Sequence, residues 1–340
     1  VMMRQAYISF NIPETSVNAK IGTQTLTLGH SLVLDTELDS LLLTTSQDNL
    51  TASAVYAKGY EGDLNVHDDR DFYGLVLNLS PQEKTNLGFY AVYGQYGATS
   101  PNLLTDNQNV TLPSGLGNRF ADTDAYWLGL TADFAYDQLS VAFELAYSDI
   151  NYDYLDAAGV TDEGTGEYEQ SGWAAYLNLD YKLQDNLNVG LDGIYVSGDD
   201  NSIAGETGPS YDDDRFVTIG HDFINATWEE DIVVEGNVGN AGLDSIYGVK
   251  GLRLYAMMTA NEKLSLKGKI GYFWREEDPV GSGEGNEDTL GCEIDGFVYY
   301  NIYDNLKFKG FAEYLFANED ALGKDAEDVW RMGQKITYAF

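Results

Sequence analysis

The chain has 340 residues, with 55 acidic against 19 basic side chains and a formal charge of −36. That balance excludes a nucleic-acid surface, because phosphate contacts need Lys and Arg. Its 36 Gly, 25 Tyr and only 6 Pro exclude a helical protein, and a single cysteine, Cys292, excludes a disulfide framework, a CxxC zinc site and CxxCH haem attachment.

No apolar run approaches the roughly 18 residues of a membrane helix. The opening stretch "VMMRQAYISF" (1–10) alternates at once, with no leader pattern, as the interior of a mature chain does. Strand patterns follow at 1–11, 17–28, 38–46, 49–60, 71–80 and 86–97. They continue, more cleanly, at 123–135, 138–150, 170–182, 186–197, 246–259, 262–275, 290–302, 305–317 and 328–340. Tight turns such as "YDQL" (136–139) and "YDNL" (303–306) take strict turns with long, acidic, glycine-rich stretches at 98–122, 151–169, 198–245, 276–289 and 318–328.

Within the clean strands the two faces differ in chemistry. Leu264, Leu266, Ile270, Tyr272 and Trp274 share one parity, and Lys263, Ser265, Lys267, Lys269 and Arg275 share the other. The split recurs as Leu139, Val141, Phe143, Leu145 and Tyr147 against Ser140, Glu144 and Ser148. A soluble sandwich also alternates, so the aromatics decide. Tyr136, Tyr181 and Tyr303 stand just before short turns, while Tyr147, Trp274 and Phe316 stand near the long stretches. Two aromatic rows one strand apart are what the two membrane interfaces select.

The pattern therefore predicts an all-β, transmembrane, antiparallel up-and-down β-barrel with short periplasmic turns and long acidic extracellular loops. It forms one domain over 1–340, with 198–245 as the longest loop region. Fifteen strands are legible, and bacterial barrels close with an even number, so about 16 are expected, about 18 being the alternative, with at least one strand before Val1. The end "QKITYAF" (334–340) places Tyr338 and Phe340 at the periplasmic girdle, where lipid receives the last ring, as an outer-membrane C-terminal signal.

Charges facing hydrocarbon cost roughly 2 to 4 kcal/mol at mid-membrane, so the charged parity is expected to line the lumen. Arg253, Lys267, Lys269, Lys309, Arg331 and Lys335 form the basic set, and Asp133, Glu144, Asp180 and Asp192 the acidic set. With the two sets on separate walls, a field would cross the pore; the plainer reading is that lumen charges only solvate a polar interior. Glu293, Asp295 and Glu313 sit among the bases and blur the separation. Residues 24–38, 98–122 and 198–245 are candidates to narrow the pore, and "TLTLGHSLVLD" (25–35) is unusually apolar for a surface loop.

Among the acidic loops, Asp212, Asp213 and Asp214 are the candidate Ca²⁺ ligands, although no loop has EF-hand spacing and a solvated loop is the competing reading. His30, His67 and His221 lie far apart and no GxSxG motif occurs, so neither an enzyme nor a resident cofactor is expected. Ala6, Ala19, Ala52, Ala54 and Ala57 make the early wall small enough for close packing against another copy.

The stretches "RQAYISFNIPETSVNAKIGTQ" (4–24), "AYWLGL" (125–130), "GWAAYLNLDYKL" (172–183), "YVSGDD" (195–200) and "KITYAF" (335–340) together resemble the homotrimeric outer-membrane porins of sulfate-reducing and related bacteria. The resemblance covers most of the chain in patches and departs from the family over 201–245. It implies a bacterial outer-membrane location, lipid around the waist, a homotrimer, and passive diffusion of small hydrophilic solutes and ions. The expected function is thus a general diffusion porin. Alternatives are a channel specific for anionic sugars or carboxylates, and a structural or adhesive barrel whose acidic loops bind cations.

Overall fold

The computed structural model describes residues 5–60, 69–96, 120–155, 165–199, 210–219, 231–236, 247–277, 288–322 and 327–338. The chain divides into two compact units. The first comprises Val1–Ala132, Glu144–Ala174 and Asn201–Ile224; the second comprises Asp133–Phe143, Ala175–Asp200 and Asn225–Phe340.

The first unit carries β1 (Ala6–Asn11), β2 (Val17–Thr27), β3 (Asp35–Gln47), β4 (Leu50–Tyr60), β5 (Arg70–Gln82) and β6 (Thr85–Tyr96). They follow one another in the sheet as an antiparallel meander. The order continues through those parts of β7 (Phe120–Tyr136), β8 (Leu139–Leu155) and β9 (Thr165–Gln184) that belong to this unit. A short strand, β11 (Ser210–Asp213), adds to β9 in parallel.

The second unit holds the remaining parts of β7, β8 and β9, then β10 (Leu187–Val196), β12 (Val249–Thr259), β13 (Leu264–Trp274), β14 (Thr289–Tyr303), β15 (Leu306–Ala317) and β16 (Val329–Tyr338). From β10 through β12 to β16, each strand again pairs antiparallel with the next. Two short helices, α1 (Ile232–Gly236) and α2 (Glu319–Leu322), interrupt long connections. No helix among the described residues is long and apolar enough to cross a membrane, which says nothing of strands.

Each of the fifteen expected strands is present, with ends displaced by a few residues; β11 and the two helices, which lie in acidic connections without alternation, are additional. The tight turns force backbone into the left-handed region: Asp48, Lys84 and Asp137 have φ of 51°, 64° and 52°. Asp is among the few residues other than glycine that visit this region at modest cost.

The exposed face of the second unit is apolar. Leu252, Leu254, Ile270 and Ile294 are 50%, 58%, 48% and 45% exposed, while Arg253, Lys269 and Asp295, one residue away, are 1%, 4% and 4% exposed. This inverts the usual burial rule, in which charged groups face solvent. Hydrocarbon around the strands is the medium in which that inversion is stable. Tyr136, Tyr303 and Phe316, expected at the interfaces, are 80%, 68% and 48% exposed, and Tyr314 and Phe316 pack with ring centroids 4.7 Å apart.

Candidate functional site

The inner face of the second unit is built in rows, because cross-strand register sets like heights side by side. One row runs Asp192, Arg253, Gly271, Glu293 and Leu315 across β10, β12, β13, β14 and β15. The next runs Tyr255, Lys269, Asp295, Glu313 and Arg331. Below it stand Lys267, Phe297 and Phe311, and then Ser265, Tyr299, Lys309 and Lys335.

The first two rows are covered by chain that folds inward from the long connection after β10. Asp231 accepts from Arg253 Nη1 at one oxygen and from Lys269 Nζ, 3.3 Å away, at the other. Arg253 Nη2 also donates to Asp192 Oδ2 at 2.7 Å, and the side chains of this pair are fully buried. Immediately after Asp231, α1 begins. Its first backbone donors, Ile232 N and Val233 N, reach Glu293 Oε1 and Oε2 at 2.6 and 3.2 Å, which satisfies groups that a helix start leaves open. Ile232, Val233 and Val234 are all buried.

Opposite charges therefore meet on neighbouring strands. The sequence reading set the acidic and basic residues on separate walls, yet Asp192 lies directly across from Arg253 in register. Glu313 likewise accepts from Arg331 Nε at 2.5 Å. Parity assigns a side chain to a face; only register says which neighbour it meets there.

A second polar group on the same face centres on Tyr255. Its ring lies across Gly190, where an added Cβ would come within 2.2 Å of Tyr255 Cζ. From there the hydroxyl donates to Asp180 Oδ2 at 2.8 Å and accepts from Asn178 Nδ2 at 3.1 Å. Asn188 also donates to Asp180, at 2.9 Å.

The first unit repeats the device. Tyr90 on β6 crosses Gly129 on β7, whose Cβ would stand 1.9 Å from Tyr90 Cζ, and its hydroxyl donates to Glu144 Oε1 on β8 at 2.6 Å. Glu144, fully buried, accepts at its other oxygen from His30 N at 2.6 Å. This holds a turn with Gly29 at φ 55°, and within the stretch that is unusually apolar for a surface loop Leu28, Leu32, Val33 and Leu34 are buried. Beside it, Ile219 N donates to Val33 O at 2.9 Å. Trp127 Nε1 donates to Val217 O at 2.8 Å, and Val217 N to Ser148 Oγ at 3.0 Å. Gly172 leaves room for the backbone of Phe216, which a Cβ would approach to 2.2 Å.

The remaining candidates fall as follows. Lys267 and Lys309 are partly exposed, with Lys309 Nζ 5.6 Å from the Phe297 ring centre and Lys267 Nζ 5.1 Å from that of Tyr255. Lys335 is exposed opposite Lys309, and Asp133 is half-buried on the inner parity of β7. Asp213 is buried and receives Arg215 Nε at 2.8 and 2.7 Å, while Asp214 is exposed. The side chain of Asp212, and Phe340, lie outside the described residues; Tyr338 is 58% exposed at the end of β16. Of the outward-packing alanines, Ala19 and Ala57 are on the buried face instead. Ala19 precedes Gly22, whose φ of 125° lies where β2 reverses its alternation.

Sequence reasoning offered 198–245 among the stretches that could narrow the pore, but it missed Asp231 and did not say which parts of that stretch fold inward. A signal existed: "DIVVEG" (231–236) and "RFVTIG" (215–220) are apolar clusters inside one acidic connection, opening on Asp231 and Arg215.

No family model and no curated protein matches the chain. Solved structures do. Pseudomonas aeruginosa OccK11 (OpdR) aligns with a TM-score of 0.53 at 13% identity, over 95% of this chain and 77% of that one. Pseudomonas aeruginosa OpdL gives 0.53 at 13% over 96% and 78%, and OccK1 (OpdK) of the same organism gives 0.50 at 9% over 95% and 76%. These neighbours are bacterial outer-membrane porins, and at such identities the likeness is one of architecture. The chain has the antiparallel up-and-down fold of outer-membrane porin barrels.

Proposed function

We propose that the protein is a passive channel for small hydrophilic solutes and ions in a bacterial outer membrane, with its bore restricted by inward-folded chain. The observation that carries this reading is the inversion of faces: apolar residues outward, and a charged inner face on which 231–236 packs. A charged inner face solvates polar cargo, and chain lying on it limits the size of what passes. Planar-bilayer recording tests the proposal. Discrete steps blocked by small polar solutes are expected, large unsaturating steps would restore the unrestricted general porin, and no conductance at all would overturn the channel in favour of a blocked, cation-binding barrel.

A second reading, preference for anionic sugars or carboxylates, is favoured by one feature. Lys309 and Lys335 stand directly opposite each other on β15 and β16, and facing like charges cost stability. An anion passing between them offsets that repulsion. The reversal potential under a salt gradient reads this directly.

Assembly as a homotrimer, as in the porins of sulfate-reducing bacteria that the sequence resembles, belongs to the same proposal. Ala52 and Ala54 on β4 leave room for a close neighbour. Native mass measurement in mild detergent checks it, and monomer alone would refute it.

A further inference from the structure

The two covered rows on the inner face of the second unit hold more buried carboxylates than the bases paired with them balance. Asp231, Glu293 and Asp295 each offer an oxygen, and the three lie within 4.8 Å of one another, all buried. Asp192 and Glu313 are buried beside them on the same rows. The bases in reach are committed: Arg253 to Asp192 and Asp231, Lys269 to Asp231, and Arg331 to Glu313. Lys267 turns over the Tyr255 ring instead. Five carboxylates thus share these three bases, a difference of two charges.

A second observation points to a ligand. Asp295 is 4% exposed, and its Oδ1 is buried with no hydrogen-bond partner. Its cross-strand neighbour Glu313, 3% exposed, has the same condition at Oε1. A buried anionic oxygen with nothing to accept from is strongly disfavoured unless a cation supplies the missing interaction.

We propose that Asp231, Glu293 and Asp295 bind one Ca²⁺ ion. An all-carboxylate donor set selects a hard cation over zinc or copper. Among hard cations, calcium accepts a flexible shell rich in carboxylate oxygens, whereas magnesium demands near-ideal octahedral geometry and is usually held by one or two carboxylates with several waters; three buried carboxylates with oxygens within 4.8 Å of one another fit the first. Both oxygens of Asp231 already accept from bases, and each keeps a second lone pair for an ion. Two positive charges cancel the excess. The ion ties the segment beginning at Asp231 to β14, so calcium holds the inward chain in place.

The test is equilibrium dialysis with radioactive calcium on the full chain in detergent, after removal of metal with EGTA, together with thermal unfolding in Ca²⁺ and in EGTA. Wild type should bind one ion per chain tightly and unfold at higher temperature in calcium. Asp295→Asn should weaken that site by at least about tenfold and lose the shift, since affinity follows ligand charge. Glu262→Gln, at an exposed carboxylate in the short turn between β12 and β13, should change neither. Absence of a tight site in wild type, or equal binding and an equal shift in Asp295→Asn, would overturn the proposal; the wild-type measurement stands even if the variant fails to fold. Both readouts are made without current, so failure here leaves the channel reading intact, and a silent bilayer leaves the calcium site intact.

Discussion

Replacing Arg253 with Met tests whether the inward segment is held by charge. The guanidinium donates to Asp192 Oδ2 at 2.7 Å and to Asp231, and all three side chains are fully buried. Met retains much of the length and none of the charge, so it strands two carboxylates in a place from which water is excluded. Breaking a buried pair by removing one partner costs about 3 to 5 kcal/mol. Asp231 keeps Lys269 at 3.3 Å and Asp192 keeps Asn178, which sets the expectation at about 3 kcal/mol, the lower end of that range. Equilibrium urea unfolding in detergent, followed by tryptophan fluorescence, measures it. In the same variant, single-channel conductance should rise as the segment beginning at Asp231 loosens. The double variant Arg253→Met with Asp192→Asn should recover part of the loss, because one of the stranded charges is gone. Stability of Arg253→Met within about 0.5 kcal/mol of wild type, the range of ordinary surface substitutions, would refute the claim that this network pins the chain.

Three further outcomes are expected. Gly129→Ala drives a methyl to 1.9 Å from Tyr90 Cζ, so the ring must leave Glu144, with a loss of about 1 to 3 kcal/mol in urea unfolding; Tyr90→Phe, which removes only the hydroxyl, should cost about 1 kcal/mol. Leu254→Arg, at a position 58% exposed on the apolar face, should destabilise folding into bilayers by about 2 to 4 kcal/mol, and a neutral result would place that face in water. Lys309→Glu with Lys335→Glu reverses the charge of two facing residues and should move the reversal potential under a salt gradient toward cation selectivity; an unchanged potential would remove these lysines from the ion path.

The strands were legible because hydrocarbon outside and polar contents inside impose strict alternation, and β12 to β15 obey it almost residue by residue. Tyr136 and Tyr303 announced the interface in the same way. What alternation cannot carry is register and the path of long connections. Arg253 was legible as an inward charge, but its partner Asp192 required the offset between β10 and β12. Asp231 was lost because 198–245 has no period to read; its location follows from three apolar residues, Ile232, Val233 and Val234, seeking cover beneath it. Glu144 was recognised as inward, while the reason for it, a turn around Gly29 hung from its carboxylate, depends on a contact 114 residues away in sequence.

The tyrosines laid over glycines have a consequence for descent. Gly129 can gain a side chain only if Tyr90 shrinks, and Gly190 only if Tyr255 does; a larger residue at either glycine meets the ring before it meets selection on transport. Each pair must therefore drift in step. A lineage that loses the ring also forfeits the hydroxyl reaching a carboxylate two strands over, on Glu144 in one case and Asp180 in the other. Covariation at 90 with 129, and at 255 with 190, is the trace such coupling leaves among descendants.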